Sequence, residues 1–147
     1  MPSNILNTPS VEESLSIILK TIEKVVSDYT RAIEHNPQLA EIYNNRGILY
    51  DNLGRSEQAE ADYTRDIELN PKLTEAYNNR GNLYEAIGKD REAEADYTRL
   101  LELTPQDVEI YNNRGNLYAK MGKTEKAEAD YNRAIELNPK SAESYYN

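Results

Sequence analysis

Two adjacent asparagines recur at Asn44 and Asn45, at Asn78 and Asn79, and at Asn112 and Asn113. Each pair lies in a near-identical octapeptide, YNNRGILY at 43–50 and YNNRGNLY at 77–84 and 111–118. An asparagine amide is both donor and acceptor, so one side chain can satisfy the N–H and the C=O of an extended backbone. Glu41, Glu75 and Glu109 precede the pairs, and Asn82 and Asn116 follow two of them. The chemistry on offer is therefore recognition of a main chain by amides, with carboxylates alongside. Asparagine is a poor helix former, because its side chain competes for nearby backbone groups. Eight asparagines on helices would cost about 5 kcal/mol against alanine.

Bond-making chemistry finds no comparable set. There is no cysteine, which removes disulfides, thiolate metal sites and thiol nucleophiles. The single histidine, His35, stands where Leu69, Leu103 and Leu137 stand in later segments, which points to a structural position. Carboxylates are plentiful, but no partner group marks any of them, and neither a phosphate-binding glycine loop nor a metal-ligand spacing is visible. A non-enzyme without metal or cofactor is expected. The formal net charge of −9 in 147 residues disfavours nucleic acid and anionic membrane as partners and matches a basic one. The N-terminus has no basic start followed by an apolar core, and the densest apolar stretch, LSIILKTIEKVV, is too short and too charged to span a bilayer. A cytoplasmic protein is the expectation.

The elements that must carry these residues follow from a period of 34. Pro37, Pro71, Pro105 and Pro139 keep it, as do Gly47, Gly81 and Gly115, then Tyr63, Tyr97 and Tyr131. A period of this size is the mark of stacked repeats. Each unit reads as two helices. In 74–107, Tyr77, Gly81, Leu83, Tyr84 and Ile87 share one side of the first helix. Gly88 ends it, and Asp90 is placed to cap the second, as are Ser56 and Thr124 in their units. Ala93, Tyr97, Leu100 and Leu101 form the second stripe, which Pro105 closes. Gly81 is the small contact that lets the two helices approach. Asp66 departs from the pattern, since Ala32, Leu100 and Ala134 hold its place elsewhere. It is expected to reach solvent.

The spacing of Tyr, Gly, Tyr, Ala, Tyr, Ala and Pro in a 34-residue unit resembles the tetratricopeptide repeat (TPR) family. The likeness covers 40–73, 74–107 and 108–141 in full, with a degenerate first unit from Val25 onward. It implies an all-α fold, a right-handed α-solenoid of stacked helix-turn-helix units. It further implies that Glu41, Glu75 and Glu109 line a concave groove with Asn44, Asn45, Asn78, Asn79, Asn82, Asn112, Asn113 and Asn116. Asn45, Asn79 and Asn113 are similar in place to the asparagine ladder that holds a peptide main chain in the TPR superhelix of O-GlcNAc transferase. An extended peptide is the implied ligand, and the chain's net charge makes a basic one the match; a solvated polar face copied by duplication is the alternative. Family members that clamp a chaperone C-terminal carboxylate do so with cations. The matching positions here hold Asn44, Asn78 or Asn112, Glu109 or Glu143, and Asn113 or Asn147, so that clamp is not expected.

Arg46, Arg80 and Arg114 replace the usual apolar residue before the motif glycine. Structural ion pairs are expected with Asp62, Asp96 and Asp130. Asp28 persists where the matching arginine position is Glu12, which favours pairing across a repeat boundary, such as Asp28 with Arg46. Residues 1–9 are expected to be a disordered N-terminus and 142–147 the start of a further repeat. Between 10 and 39, Ser10 and Glu13 form a capping box. Val11, Leu15, Ile18, Ile22, Val25 and Tyr29 then make a continuous apolar seam. One long helix is expected, with a hairpin bent near Lys20 and Thr21 as the alternative. Val11, Leu15, Ile18 and Ile22 would give it a self-association surface, so an oligomerising structural module is the second functional reading.

Overall fold

A computed structural model of the chain describes residues 8–139. Expectations for residues 1–7 and 142–147 lie outside it. Among the described residues seven helices follow one another: α1 (Val11–His35), α2 (Ala40–Asn52), α3 (Ser56–Leu69), α4 (Thr74–Ala86), α5 (Asp90–Leu103), α6 (Val108–Lys120) and α7 (Thr124–Leu137). No strand occurs among the described residues. Helices pair as α2 with α3, α4 with α5 and α6 with α7, and each pair stacks on the next through α3 against α4 and α5 against α6. This is an all-α stack of helical hairpins, the architecture that the repeat resemblance implies.

Helix α1 runs unbroken through Lys20 and Thr21. Ser10 Oγ accepts from the Glu13 N–H at 3.1 Å and the Glu13 carboxylate accepts from the Ser10 N–H at 2.9 Å, which closes a capping box. Its second half packs on α2, with Val26 buried and Ile22 half-buried against the cluster of Tyr50, Ala59, Tyr63 and Leu83. Ile22 is thus partly covered by the core, whereas Val11, Leu15 and Ile18 are exposed.

Glycine decides the geometry at two kinds of place. A Cβ at Gly81 would stand 2.9 Å from the ring of Tyr97, which is wholly buried, so only glycine lets α4 seat on α5. Gly88 adopts φ 78° and carries the turn into α5. The Lys89 N–H then bonds the Tyr84 carbonyl at 2.8 Å, a Schellman closure. Because this turn is so short, Asp90, Ser56 and Thr124 fall inside their helices and cap nothing. The Asp90 carboxylate instead accepts from Lys120 Nζ at 2.7 Å. Ile87 caps α4 just past its last residue and is exposed, outside the stripe expected for it.

One side-chain cluster repeats in all three full units. Arg80 Nε and Nη2 donate to both oxygens of Asp96, at 2.8 and 2.7 Å, and Nη1 donates to Thr64 Oγ1 at 2.9 Å. Arg46 engages Asp62 and Thr30 likewise, and Arg114 engages Asp130 and Thr98. The carboxylate thus comes from the same unit, while the threonine comes from the one before. Pairing of Asp28 with Arg46 does not occur. Asp28 matches Asp62 in register, and its own-unit partner would be Glu12 on the straight helix α1; Asp28 is exposed. The aromatic rings of Tyr77 and Tyr84 flank the Arg80 guanidinium at 5.9 and 5.6 Å.

Asp66 also differs from its expectation. It is 1% exposed, because position 66 faces the interior of the stack just as Leu100 does, whatever the residue type. Burial, reinforced by the charges of Glu75 and Glu41, pushes its carboxyl up to about 6.

Two outcomes follow. Arg80→Met strands the buried Asp96 carboxylate and should lower unfolding free energy by about 3 kcal/mol or more in a urea titration; unchanged stability would contradict the cluster's role. A raised folded pKa means that Asp66 favours the fold below its ordinary value of 3.8 and loses that contribution as pH rises through about 6. Asp66→Leu should therefore stabilise the chain by about 2 kcal/mol at pH 7.5. The gain should shrink towards pH 4, and no gain at pH 7.5 would contradict the burial of a charge.

Candidate functional site

The asparagines and glutamates ride on α2, α4 and α6, the first helix of each full unit. Tyr43 and Tyr111 tie the starts of α2 and α6 to the proline turns before them. The Tyr43 hydroxyl donates to the Pro37 carbonyl at 3.1 Å and that of Tyr111 to Pro105 at 3.3 Å, so the proline turn and the helix move as one piece. Glu41, Glu75 and Glu109 sit in the first turns and are exposed. Negative charge there suits the helix dipole.

The asparagines are not equivalent. Asn44 is buried, and its Oδ1 accepts from Asn79 Nδ2 at 3.0 Å, a direct link between α2 and α4. Asn82 and Asn116 each accept a tyrosine hydroxyl at 2.6 Å, from Tyr97 and Tyr131, so part of their cost is offset inside the repeat. Asn45 and Asn112 are exposed, and Asn113 is half-buried. Asn78 is half-buried too, but its Oδ1 is cut off from solvent without a hydrogen-bond partner. Sequence reasoning did not separate these roles.

Where α2 meets α4, a recess of about 250 Å³ opens, lined by Glu41, Asn44, Asn45, Asp66, Leu73 and Glu75. Asp66 is the acid at its base by burial, and its Oδ1 has no partner. Among the described residues, Asp66 Oδ1 and Asn78 Oδ1 are the buried side-chain atoms left unsatisfied, and both are acceptors. An unpaired buried acceptor costs about 1–3 kcal/mol, more when charged.

Other ionic groups are engaged between units. Glu60 accepts from Lys89 at 2.9 Å and from the Tyr84 hydroxyl at 3.0 Å, and the lysine bond above all holds its carboxyl below the usual range. Glu94 and Lys123 repeat the arrangement at 2.6 Å. Burial pushes the Tyr84 phenol up to about 12. His35 is exposed in the last turn of α1. Among the described residues no group of three or more His, Cys, Asp or Glu is placed to hold a metal ion, and no helix is long and apolar enough to cross a membrane.

The threonines of the arginine cluster were missed from sequence. Their signal was present, since Thr30, Thr64 and Thr98 keep the 34-residue interval and Asn132 breaks it.

Family models for the tetratricopeptide repeat match residues 28–61 and 108–141, and a TPR repeat model matches 86–122, together more than half of the chain. No match is found among curated proteins. Among solved structures, a crystal structure of MamA superposes with TM-score 0.75 at 20% identity, covering 90% of this chain and 77% of that one. The first TPR of Spaghetti (RPAP3), bound to the HSP90 peptide SRMEEVD, superposes with TM-score 0.64 at 28% identity, covering 70% of this chain and 82% of that one. The repeat matches and the paired-helix stack agree with one another: the chain is a tetratricopeptide-repeat protein, built as a protein-interaction scaffold.

Proposed function

We propose that this scaffold binds an extended, basic peptide segment along α2, α4 and α6. The observation that carries the reading is the row of asparagine amides that solvent reaches on the first helix of each full unit: Asn45 and Asn112 are exposed, and Asn79 and Asn113 are half-buried. They offer amides to a main chain with little regard for its side chains. Charge selects the partner. Glu41, Glu75 and Glu109 repeat along the groove, and the whole chain carries −9. The peptide bound by the Spaghetti repeat, SRMEEVD, is rich in acid. Here the positions that would meet such acids are neutral or acidic, so a peptide of the opposite sign is the electrostatic match.

A second reading rests on a separate observation. The first three turns of α1 leave Val11 77% exposed and Leu15, Ile17, Ile18 and Leu19 each more than half exposed. An apolar patch of this kind is uncommon on a monomer and suits a second copy of the chain.

For the first reading, peptides selected from a library of extended sequences should lose at least tenfold in affinity by fluorescence anisotropy when Asn79 and Asn113 are both changed to Ala. Equal affinity would remove the ladder. For the second, light scattering over a concentration series should find a dimer or larger species that becomes a monomer on deletion of residues 1–21. A mass that does not respond to the deletion would remove that surface.

A further inference from the structure

We infer that the recess between α2, α3 and α4 is a pocket for one lysine side chain, which sets the register of the bound segment. The inference rests on the peptide-binding reading above and adds a side-chain specificity to a groove that otherwise reads only backbone.

The recess has the chemistry of an ammonium site. Asp66 is 1% exposed and has an unpartnered Oδ1; Glu41 from α2 and Glu75 from α4 supply two more carboxylates at the lining, with no cation among the lining residues. A carboxylate buried without a partner is costly, and the cost is recovered when a positive hydrogen-bond donor arrives. Leu73 offers an apolar contact for the methylene stem of lysine, Asp66 Oδ1 offers its ammonium group an open acceptor, and Glu41 and Glu75 add attraction from the lining. A recess of about 250 Å³ suits that compact head and stem. The carboxylates do not form a metal-binding group.

The acid at this repeat position is also singular in the sequence. At the places matching Asp66 stand Ala32, Leu100 and Ala134, none of which can pair with a cation. Repeated asparagines would let a peptide slide by one repeat spacing. A single acidic recess breaks that equivalence and fixes one lysine at one junction.

The pH response follows from the groups that face Asp66. Burial first, then Glu75 and Glu41, raise its carboxyl to about 6, while Asn44, Asn45 and Leu73 are uncharged. A lysine ammonium stays protonated across the neutral range. Its affinity should therefore rise with pH as Asp66 ionises.

The test titrates the full chain with Nα-acetyl-lysine methylamide, followed by nuclear magnetic resonance, with Nα-acetyl-norleucine methylamide as the uncharged match. The expected result is a saturable shift of the Asn44, Asn45 and Asp66 signals with the lysine probe alone. Affinity should fall about tenfold from pH 7.5 to pH 5 and at least tenfold in Asp66→Leu, which takes the residue that Leu100 already buries in the next unit. Asp66→Asn serves as a second variant that keeps the shape and should lose affinity likewise. Equal response to both probes, or lysine binding that survives both substitutions, would overturn the pocket. The two readings fail separately. Peptides that depend on Asn79 and Asn113 but show no preference for lysine keep the groove and remove the pocket. Lysine binding that needs Asp66, with peptide affinity indifferent to the asparagines, keeps the pocket and removes the ladder.

Discussion

In every full unit a guanidinium lies between two tyrosine rings and ties three helices together. The arginine stands on the first helix, its aspartate on the second helix of the same unit, and its threonine on the last helix of the unit before. Bidentate geometry fixes the angle within a unit, and the third donor fixes how one unit sits on the next. The aspartates are nearly excluded from water, at 4–6% exposure, so the cluster tolerates no missing member. Helix α1 joins the stack by supplying Thr30 to Arg46, as α3 and α5 supply Thr64 and Thr98 further along.

That rigidity has consequences for the recess where α2 meets α4. With the helix angles fixed, Glu41 and Glu75 are held near the buried Asp66, and the fold bears the repulsion. Stability is given up at one junction where a leucine would have served, as it does at Leu100. The acid is unexplained by packing, and the proposed lysine supplies the missing charge.

Much of this was legible in the sequence. The 34-residue period located every helix pair, and Ser10 with Glu13 marked the start of α1. The failures were specific. Asp66 was expected in solvent because buried acids are rare, yet repeat register outweighed residue type. Asp28 suggested pairing across the boundary, but it is an aspartate kept where the partnering helix has been straightened away; the cross-boundary contact belongs to threonine. Asp90 was read as a cap because the length of a Schellman turn cannot be fixed to one residue from composition. Along the helix faces that carry the asparagines, the residue types were visible but their division of labour was not. Asn44, Asn82 and Asn116 serve hydrogen bonds to Asn79, Tyr97 and Tyr131, partners 15 or more residues away in sequence.

The most direct measurement is a crystal structure of the chain with the tightest peptide selected from a library of extended sequences. The account predicts an extended main chain lying across α2, α4 and α6, held by Asn79 and Asn113, with a lysine ammonium at Asp66. A peptide bound instead on α1 or along α3, α5 and α7, with the recess empty, would contradict it.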